Sequence, residues 1–485
     1  MSREYRMYIN GEWVDAVDGK AFDDFNPYTG QVFAKVAGGK AEDARRAVEA
    51  AAAAFPAWAA TPPAARAMYF LKAADILERR REEIAGILTE ETGATFGWAM
   101  FQCSLTPGML REAAAQVHMV MGQIIPADLP GAFFMALRQP VGVVVGIAPW
   151  NAPLILSLRA VAFPMAYGNT TVLKPSSEAP ISGGLVYAEI FEEAGLPAGV
   201  LNVLTNGPAF AGEVGDVLIA DPRVRRISFT GSTEVGREVA KKAGENLKRV
   251  TLELGGSDPL LVLKDGDVGY AVNAATFGRF LHQGQICMSV KRIIVEKPVA
   301  NEFIDKFVAK VSGLKVGDPK EPDTIIGPLI NQTQLDLLRG QVDEAIERGA
   351  KVLCGGKFEG LSYWPTVLTN VKEDMRVCQE EVFGPVVPVL VVEDEEEALR
   401  VANNSRFGLS SGIITRDFAK GLSIAERLET GMVHINDSSV HDEPQVPFGG
   451  VKDSGWGRHG GLAALEEFTE LRWVTMQRTP REYPF

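Results

Sequence analysis

Apolar and polar positions along the chain predict helices and strands that follow each other in a regular order. Residues 40–95 carry Ala, Glu and Arg at helical spacing on both sides of the turn sequence TPPAAR, which predicts helices. The sequence VGVVVGIAPW is apolar and rich in Val, as is typical of a buried parallel strand. Strand and helix patterns then alternate up to residue 247, and this alternation predicts βαβ units around a parallel sheet.

The same alternation begins again after residue 253, where DPLLVL, RIIVE and PVVPVLVVE predict strands separated by helical patterns. We therefore predict an α/β fold with two parallel-sheet lobes that meet near residues 252–256. Residues 123–140 contain Pro and scattered apolar residues and predict a β-hairpin arm. Residues 468–478 predict one more strand outside the compact lobes. Two such strands can pair across a subunit boundary.

Composition disfavours several classes of function. The formal net charge of −13 disfavours broad binding of nucleic acid, which requires neutralisation of phosphates by Lys and Arg. The N-terminal residues lack the apolar run of a signal peptide, and no stretch of about 18 apolar residues predicts a membrane span. The chain has five His residues, and its cysteines, Cys103, Cys287, Cys354 and Cys378, form no CxxC pair. We therefore expect a reducing cytoplasm and no metal site.

Three side chains suggest covalent catalysis. Cys287 in GQICMS has apolar neighbours, and on its own such a cysteine is more often a small buried residue than a nucleophile. Glu253 ends an apolar run: either it lies on an exposed edge, or burial raises its pKa toward the range of a general base. Asn151 in PWNAP follows a predicted strand, where its amide either serves a turn or donates to an oxyanion.

A second group of residues points to a phosphate-bearing ligand. Lys174 ends a predicted strand in TTVLKPS, where its ammonium can reach hydroxyl groups or phosphate. The sequence SFTGSTEVG places Gly231, Ser232 and Gly236 at a turn from strand to helix, where backbone N–H groups can face a pyrophosphate. Gly and Ser also begin helices for structural reasons, so the pattern alone leaves both interpretations open. Two further candidates begin a strand of the second lobe: Glu381 and Phe383.

Seven motifs together resemble those of the aldehyde dehydrogenase superfamily over essentially the whole chain. They occur in the family's order: PWNAP, LKPSSEAP, FTGSTEVG, LELGGSDP, GQICMS, EEVFGP and PFGGVKDSGWGR. The resemblance implies an oxidoreductase that converts an aldehyde into a carboxylate with NAD or NADP. It also implies the aldehyde dehydrogenase-like fold, with a Rossmann-like cofactor domain, a catalytic domain and a small β arm for oligomerisation.

The resemblance implies a role for each candidate. Cys287 would be the nucleophile that forms the thiohemiacetal and thioester, Asn151 and the Cys287 N–H the oxyanion hole, and Glu253 the base for hydrolysis. Because no Lys or His motif flanks Cys287 closely, we expect its thiolate to depend on the positive nicotinamide ring or on Glu253 through a water. The residues that match cofactor contacts are Trp150, Lys174, Ser177, Gly231, Ser232, Gly236, Leu254, Glu381 and Phe383.

The resemblance also implies domain boundaries and an assembly. We expect a homodimer or a homotetramer with an aldehyde as its small-molecule partner, and neither nucleic acid nor a membrane. The expected parts are residues 1–122 and 141–252 as the cofactor-binding domain, residues 253–440 as the catalytic domain, residues 441–467 as a returning segment, and residues 123–140 and 468–485 as the oligomerisation arm.

Two positions depart from the family pattern. Many NAD-preferring members carry Glu three residues after the cofactor-binding Lys, but this chain has Ser177 there and Glu178 one residue later. A carboxylate would repel the 2′-phosphate of NADP and Ser would not, so we expect NADP to be accepted and even preferred. His459 stands where some relatives have a proton-relaying Glu. It is either such a relay or a surface residue at a helix end, and we leave it outside the predicted catalytic set.

Residues 91–114 and 150–164 resemble the branch that oxidises aromatic aldehydes such as vanillin, benzaldehyde and salicylaldehyde. Ala152 replaces the bulky aromatic residue of many aliphatic members and leaves room for a ring, against which Trp98 can stack. Trp98 and Arg159 can equally be a core residue and a structural ion-pair partner. The expected substrate pocket comprises Trp98, Ala152, Arg159, Ile286 and Met288. The alternative within the family is a broad-specificity aliphatic or semialdehyde dehydrogenase.

Other activities of the same or another fold are disfavoured by single features. A CoA-acylating enzyme transfers its acyl group to a thiol and needs no base, so the presence of Glu253 disfavours it. A catalytically silent structural protein is disfavoured by the joint presence of Cys287, Glu253 and Asn151. A cysteine hydrolase is disfavoured because neither His118 nor His282 lies in a nucleophile–base motif.

Overall fold

The structure is a computed structural model that describes residues 3–485. Its helices are α1 (Ala41–Ala60), α2 (Pro63–Arg79), α3 (Arg81–Thr92), α4 (Phe96–Ala115), α5 (Pro153–Ala166), α6 (Val186–Glu193), α7 (Ala211–Ala220), α8 (Thr233–Glu245), α9 (Val268–Phe280), α10 (Lys297–Ser312), α11 (Gln332–Glu347), α12 (Arg376–Gln379), α13 (Glu395–Asn403), α14 (Phe418–Ala425) and α15 (Ala463–Phe468). Shorter helical turns span Gln116–His118, Ile181–Leu185, Pro208–Phe210 and Leu281–Gly284. None of these helices is long and apolar enough to cross a lipid bilayer.

The strands form two large sheets and several small ones. They are β1 (Arg3–Tyr5), β2 (Met7–Ile9), β3 (Glu12–Val14), β4 (Ala21–Phe25), β5 (Val32–Ala37), β6 (Gln123–Ile125), β7 (Ala132–Pro140), β8 (Val143–Ile147), β9 (Thr170–Lys174), β10 (Leu201–Val203), β11 (Val224–Thr230), β12 (Arg249–Glu253), β13 (Asp258–Val262), β14 (Val290–Glu296), β15 (Lys351–Cys354), β16 (Phe358–Glu359), β17 (Ser362–Tyr363), β18 (Thr366–Thr369), β19 (Val386–Val392), β20 (Phe407–Gly408), β21 (Gly412–Ile414), β22 (His434–Ile435), β23 (Val451–Lys452), β24 (Gly455–Trp456) and β25 (Thr469–Gln477).

Each of the two large sheets has a parallel centre. The first has the order β24-β12-β11-β8-β9-β10-β2-β3, in which β12 to β10 pair in parallel. The second has the order β15-β18-β19-β14-β13-β21-β22 and is parallel from β18 to β22. The predicted α/β fold with two parallel sheets is therefore confirmed.

Both faces of each sheet are covered by helices, which explains the long apolar runs of the strands. In the first lobe α1, α7 and α8 supply one apolar layer, and α2 to α6 supply the other. In the second lobe α9 and α10 cover one face, and α11, α13 and α14 cover the opposite one. Strand interiors are thus inaccessible, and space for ligands remains where the strands end.

The predicted arm consists of β6, β7 and β25. Strand β25 pairs antiparallel with β7 along its whole length, from Thr469 opposite Pro140 to Gln477 opposite Ala132. The tail strand and the hairpin therefore pair with each other inside one chain, and this pairing does not cross a subunit boundary. On the way to β25, strand β24 returns to the first sheet and places Gly455 opposite Glu253.

Three long helices, α4, α5 and α9, were missing from the sequence prediction. All residues of α5 are buried, so the helix has no polar face that would show a helical period. The N-terminal strands β1 to β5 were also missing; these strands are three to six residues long, which leaves little room for an alternating pattern.

Candidate active site

The carboxyl ends of four parallel strands bring the predicted polar residues to one edge of the first sheet. In the register of these strands Ile147 lies beside Lys174, and Thr230 lies beside Glu253. Asn151 follows β8 by four residues and precedes α5. Residues distant in sequence therefore converge because parallel strands end together, as is usual for ligand sites in such sheets.

Cys287 lies in the loop between the turn Leu281–Gly284 and β14. Three consecutive residues before it, His282, Gln283 and Gly284, have φ values of 49°, 54° and 72°. A left-handed conformation is unfavourable for residues other than Gly and persists where the surroundings hold it. Here the Gln283 amide donates to the Pro328 carbonyl at 3.0 Å. The path of the chain into Cys287 is thus set by packing.

Two cavities meet at this cysteine. The first has a volume of about 380 Å³ and the second of about 400 Å³, and Asn151, Leu156 and Cys287 line both. The predicted residues that line the first cavity are Trp150, Gly231, Ser232, Leu254, Glu381 and Phe383. The predicted residues that line the second cavity are Trp98, Ala152, Arg159, Ile286 and Met288. The structure therefore separates the predicted cofactor and substrate residues onto two sides of one thiol.

The first cavity has the donors and surfaces that a dinucleotide needs. Its floor includes the N-terminus of α8, where the Ser232 hydroxyl accepts the Val235 N–H at 3.3 Å, so this side chain is also a helix cap. Helix N-termini bind phosphate through free N–H groups. Trp150 and Phe383 meet edge to face, with ring centres 5.6 Å apart, and Glu381 adds a carboxylate suited to sugar hydroxyls.

Three predicted cofactor residues lie behind or beside this lining. The Lys174 side chain is almost completely buried at the end of β9; burial lowers its pKa to about 8, and no neighbouring carboxylate of the described residues opposes that effect. Gly236 packs against Leu254, and a side chain at this position would clash with it. Ser177 is partly exposed in the loop after β9, and Glu178 faces Asn331 and Asp24.

Glu253 is buried without a hydrogen-bond partner. Its side chain ends β12 with 2% exposure, and within residues 3–485 neither carboxylate oxygen has a partner. Burial raises its pKa well above the usual value, while Arg159 and Arg458 lower it and Asp442 raises it further. The sequence left open whether this carboxyl is exposed; its burial agrees with the requirements of a base that works near neutral pH.

His459 is buried behind Glu253 and does not lie on the surface. Its exposure is 1%, Nε2 lies 2.9 Å from the Ser228 hydroxyl oxygen, and Nδ1 lies 3.9 Å from Oε1 of Glu253. Burial lowers its pKa to about 3, so the imidazole is neutral. The interpretation of His459 as a surface residue at a helix end is therefore wrong. Sequence spacing could not show this, because the returning segment places it there.

Asn151 directs its amide toward the thiol loop. The Nδ2 group donates one hydrogen bond to the Gln285 carbonyl at 3.0 Å. A side-chain amide carries two N–H groups, so a second donor remains for a ligand in either cavity. The residue is buried, and such a fixed neutral donor suits an oxygen on which negative charge develops.

The second cavity has aromatic and apolar walls around one buried ion pair. Trp98 is stacked with Phe101 and with His282, at ring-centre distances of 5.3 and 5.4 Å. Arg159 bonds to the Asp442 carboxylate at 2.5 Å, and its guanidinium lies 4.1 Å from the centre of the Phe448 ring. Trp98 and Arg159 thus make structural contacts and also line the cavity. A structural role and a place in the substrate pocket are therefore compatible for both residues.

Sequence reasoning missed Lys291, four residues after Cys287. Burial raises the pKa of the Cys287 thiol to about 12, Lys291 opposes this, and Glu381 and Glu253 reinforce it. The Lys291 side chain is fully buried and donates to the carbonyl of Ile286 at 3.0 Å and to that of Cys287. A signal was present, because the Lys and Arg at the start of β14 precede an apolar run, and a buried cationic residue requires a partner.

The chain is similar to known proteins over almost its whole length. A model of the aldehyde dehydrogenase family matches residues 13–474. The chain is 49% identical to a vanillin dehydrogenase from Pseudomonas fluorescens over 99% of each chain. It is 42% identical to an NAD(+) benzaldehyde dehydrogenase from Pseudomonas putida, covering 99% of this chain and 98% of that one. A crystal structure of a salicylaldehyde dehydrogenase from Pseudomonas putida G7 complexed with salicylaldehyde superposes with a TM-score of 0.98, at 42% identity and 100% coverage of both chains.

Proposed function

The chain belongs to the aldehyde dehydrogenase family, and we propose that it oxidises aromatic aldehydes to carboxylates through a thioester on Cys287. The family acts on aldehydes with NAD or NADP. The observation that carries the proposal is that Cys287 and Asn151 line both cavities. An aldehyde in the second cavity and a nicotinamide in the first cavity would therefore both have access to Cys287.

The proposed reaction divides the oxidation into two steps. The Cys287 thiolate attacks the carbonyl carbon, and the free N–H of Asn151 donates to the oxygen as it becomes negative. A nicotinamide dinucleotide held in the first cavity by residues such as Trp150, Glu381 and Phe383 would supply the acceptor for the hydride that this carbon loses, and a thioester would then remain on Cys287. Glu253 then takes a proton from a water molecule whose oxygen attacks the thioester, and the thiolate of Cys287 leaves as the carboxylate forms.

The aromatic substrate class is supported by the walls of the second cavity and by the relatives. Ala152 leaves space beside Cys287, and Trp98, Phe101 and Phe448 surround that space with flat apolar surfaces. Aromatic rings pack favourably against such surfaces in stacked or edge-to-face arrangements. The similar proteins named above are dehydrogenases of vanillin, benzaldehyde and salicylaldehyde.

Steady-state kinetics with a panel of aldehydes test the substrate class. We expect kcat/KM for benzaldehyde and vanillin to exceed that for hexanal at least tenfold, or ~1.4 kcal/mol in transition-state binding. Production of the acid is followed through the absorbance of the reduced cofactor. Cys287→Ala should abolish the reaction, with Cys354→Ala in the second lobe as the matched control. A preference for hexanal would contradict the aromatic assignment, and an active Cys287→Ala variant would contradict the mechanism.

We propose that NADP is accepted beside NAD because Ser177 lacks the carboxylate that repels a 2′-phosphate. The neighbouring carboxyl of Glu178 faces Asn331 and Asp24. Ser177→Glu should lower kcat/KM with NADP at least tenfold and leave the value with NAD within about threefold, and Glu178→Gln serves as the control. Initial rates with both cofactors check this. A wild-type preference for NAD above about a hundredfold, or ~2.7 kcal/mol, would overturn it.

We propose the cofactor-binding, catalytic and arm regions with the boundaries derived from the sequence, and a homodimer or homotetramer built through the arm. Support comes from apolar side chains that the arm exposes, among them Ile124 at 73% and Trp473 at 68%. Exposed apolar surface of this kind marks interfaces between chains. A cytoplasmic location is supported by the cysteines of residues 3–485, which are all free.

A further inference from the structure

Lys291 is a buried cation that the proposed mechanism leaves without a role. Its side chain has 0% exposure and forms an ion pair with Oε1 of Glu381 at 3.3 Å. Its ammonium also donates to the carbonyls of Ile286 and Cys287. Removing an ammonium from water is costly unless it is paired and hydrogen-bonded. Lys291 therefore ties the backbone of the nucleophile to a carboxylate from another part of the chain.

The ionisable groups around Cys287 have opposite effects on its thiol. Lys291 from β14 lowers the thiol pKa, whereas Glu381 before β19, Glu253 at the end of β12 and Asp258 in β13 raise it. Asp258 is itself buried, which raises its pKa to about 7 against the effect of Lys291. Lys291 thus interacts with the thiol and with the carboxylates at the same time. A change in its interaction with the carboxylates therefore changes the pKa of the Cys287 thiol.

Glu381 contacts both Lys291 and the first cavity, so its position allows a ligand to change the interaction between Lys291 and the thiol. Its Oε1 accepts the Gly256 N–H at 3.1 Å in addition to the ion pair with Lys291. At the same time its side chain is 20% exposed and lines the first cavity. The carboxylate of Glu381 therefore contacts Lys291 and is also accessible from the first cavity. Hydroxyl groups of a ribose in this cavity would compete with Lys291 for the same oxygens.

We propose that Lys291 is a positioning residue that couples occupation of the first cavity to ionisation of Cys287. When the carboxylate of Glu381 binds ribose hydroxyls, the charge of Lys291 is less neutralised and stabilises the thiolate. The S–H bond then breaks, and its proton passes to solvent water. This inference rests on the proposed function, since it assigns the thiol the role of nucleophile. In this proposal the ammonium of Lys291 contributes to the activation of the Cys287 thiol, in addition to the nicotinamide ring.

Alkylation of Cys287 by iodoacetamide measures the thiolate directly and without turnover. The rate is followed from pH 5.5 to 10 by mass spectrometry of the Cys287 peptide, with and without NAD⁺; because burial raises the thiol pKa to about 12, the change in apparent pKa is read from the displacement of the logarithm of the rate at a given pH. In the wild type we expect NAD⁺ to lower the apparent thiol pKa by about one unit, which is roughly tenfold in rate at neutral pH. Lys291→Met should raise the apparent pKa without NAD⁺ and reduce the response to NAD⁺ to less than half a unit. Lys291→Arg should retain most of the response.

Two further variants keep the test decisive. Glu381→Gln, which keeps the Lys291 side chain, should lower the apparent pKa of Cys287 without NAD⁺ and remove most of the shift at an NAD⁺ concentration that saturates the variant. Lys297→Met removes an exposed lysine that pairs with Glu393 at the surface, and it should behave as the wild type. A wild-type profile in Lys291→Met, or an unchanged or raised pKa in Glu381→Gln, would overturn the coupling. Aldehyde oxidation by Cys287→Ala would instead overturn the proposed function, whatever the alkylation profiles are.

Discussion

Two glutamates act electrostatically on the Cys287 thiol, and the surroundings of their carboxyl groups differ. Within the described chain Glu253 has no hydrogen-bond partner at either carboxylate oxygen, and its pKa is raised well above the usual value by burial. Glu381 accepts the Gly256 N–H and pairs with Lys291. An unpartnered buried carboxyl takes up a proton readily, whereas a paired carboxylate is held in place as an anion. We therefore expect the two glutamates to have different roles beside one thiol.

The largest expected effect is on turnover in Glu253→Gln. An amide cannot accept the proton of the attacking water, so we expect kcat to fall by about two to four orders of magnitude. The first half-reaction does not need this base, and a stoichiometric burst of reduced cofactor should therefore persist. Stopped-flow absorbance measures the burst and the steady state in one experiment. A kcat within about threefold of the wild type would remove Glu253 from the role of base.

The next effect is on cofactor binding in Glu381→Gln. Loss of a charged acceptor for sugar hydroxyls should raise KM for the cofactor by about ten- to a hundredfold, since a hydrogen bond to a charged group contributes ~1.5–3 kcal/mol. We expect kcat to change less than in Glu253→Gln, which distinguishes the two glutamates. Initial rates over a range of cofactor concentrations give both constants. If kcat fell further than KM rose, Glu381 would act mainly in the chemical step.

The smallest effect is on stability, and the two glutamates should show opposite signs. Because the pKa of Glu253 is higher in the folded than in the unfolded chain, its contribution to stability is lost as the pH rises through the raised pKa. Glu253→Gln should therefore be more stable than the wild type at pH 8, by ~1 kcal/mol or more, and the difference should shrink toward pH 5. Glu381→Gln should be less stable, because Lys291 loses its partner.

Thermal unfolding at pH 5 and pH 8 measures these differences as shifts in Tm. Ser405→Ala, at a turn remote from Cys287 in sequence, controls for the effect of a substitution as such. Equal Tm shifts of the same sign for Glu253→Gln and Glu381→Gln would contradict the prediction that the two carboxyls affect stability in opposite directions.

Local patterns in the sequence predicted the central strands of the two sheets, among them β8 to β14 and β19, but not the edge strands β2, β3 and β15. The strands β8 and β19 are apolar throughout because both of their faces are covered, and that requirement is visible in the residues themselves. Helix α5 escaped prediction for the same reason: a wholly buried helix carries no alternation to recognise. The motifs that suggested a thiol, a base and an amide donor are likewise short and local.

The amino-acid sequence by itself determined the two α/β lobes, the resemblance to a family, and the identity of Cys287, Glu253 and Asn151 as candidates. The tertiary structure decided which groups surround them. Lys291 reaches Glu381 because β14 and the segment before β19 belong to neighbouring parallel strands, and His459 lies behind Glu253 because the segment around β24 returns to the first sheet. Electrostatic interactions depend on distance and burial, and neither quantity is contained in the spacing of residues along a chain.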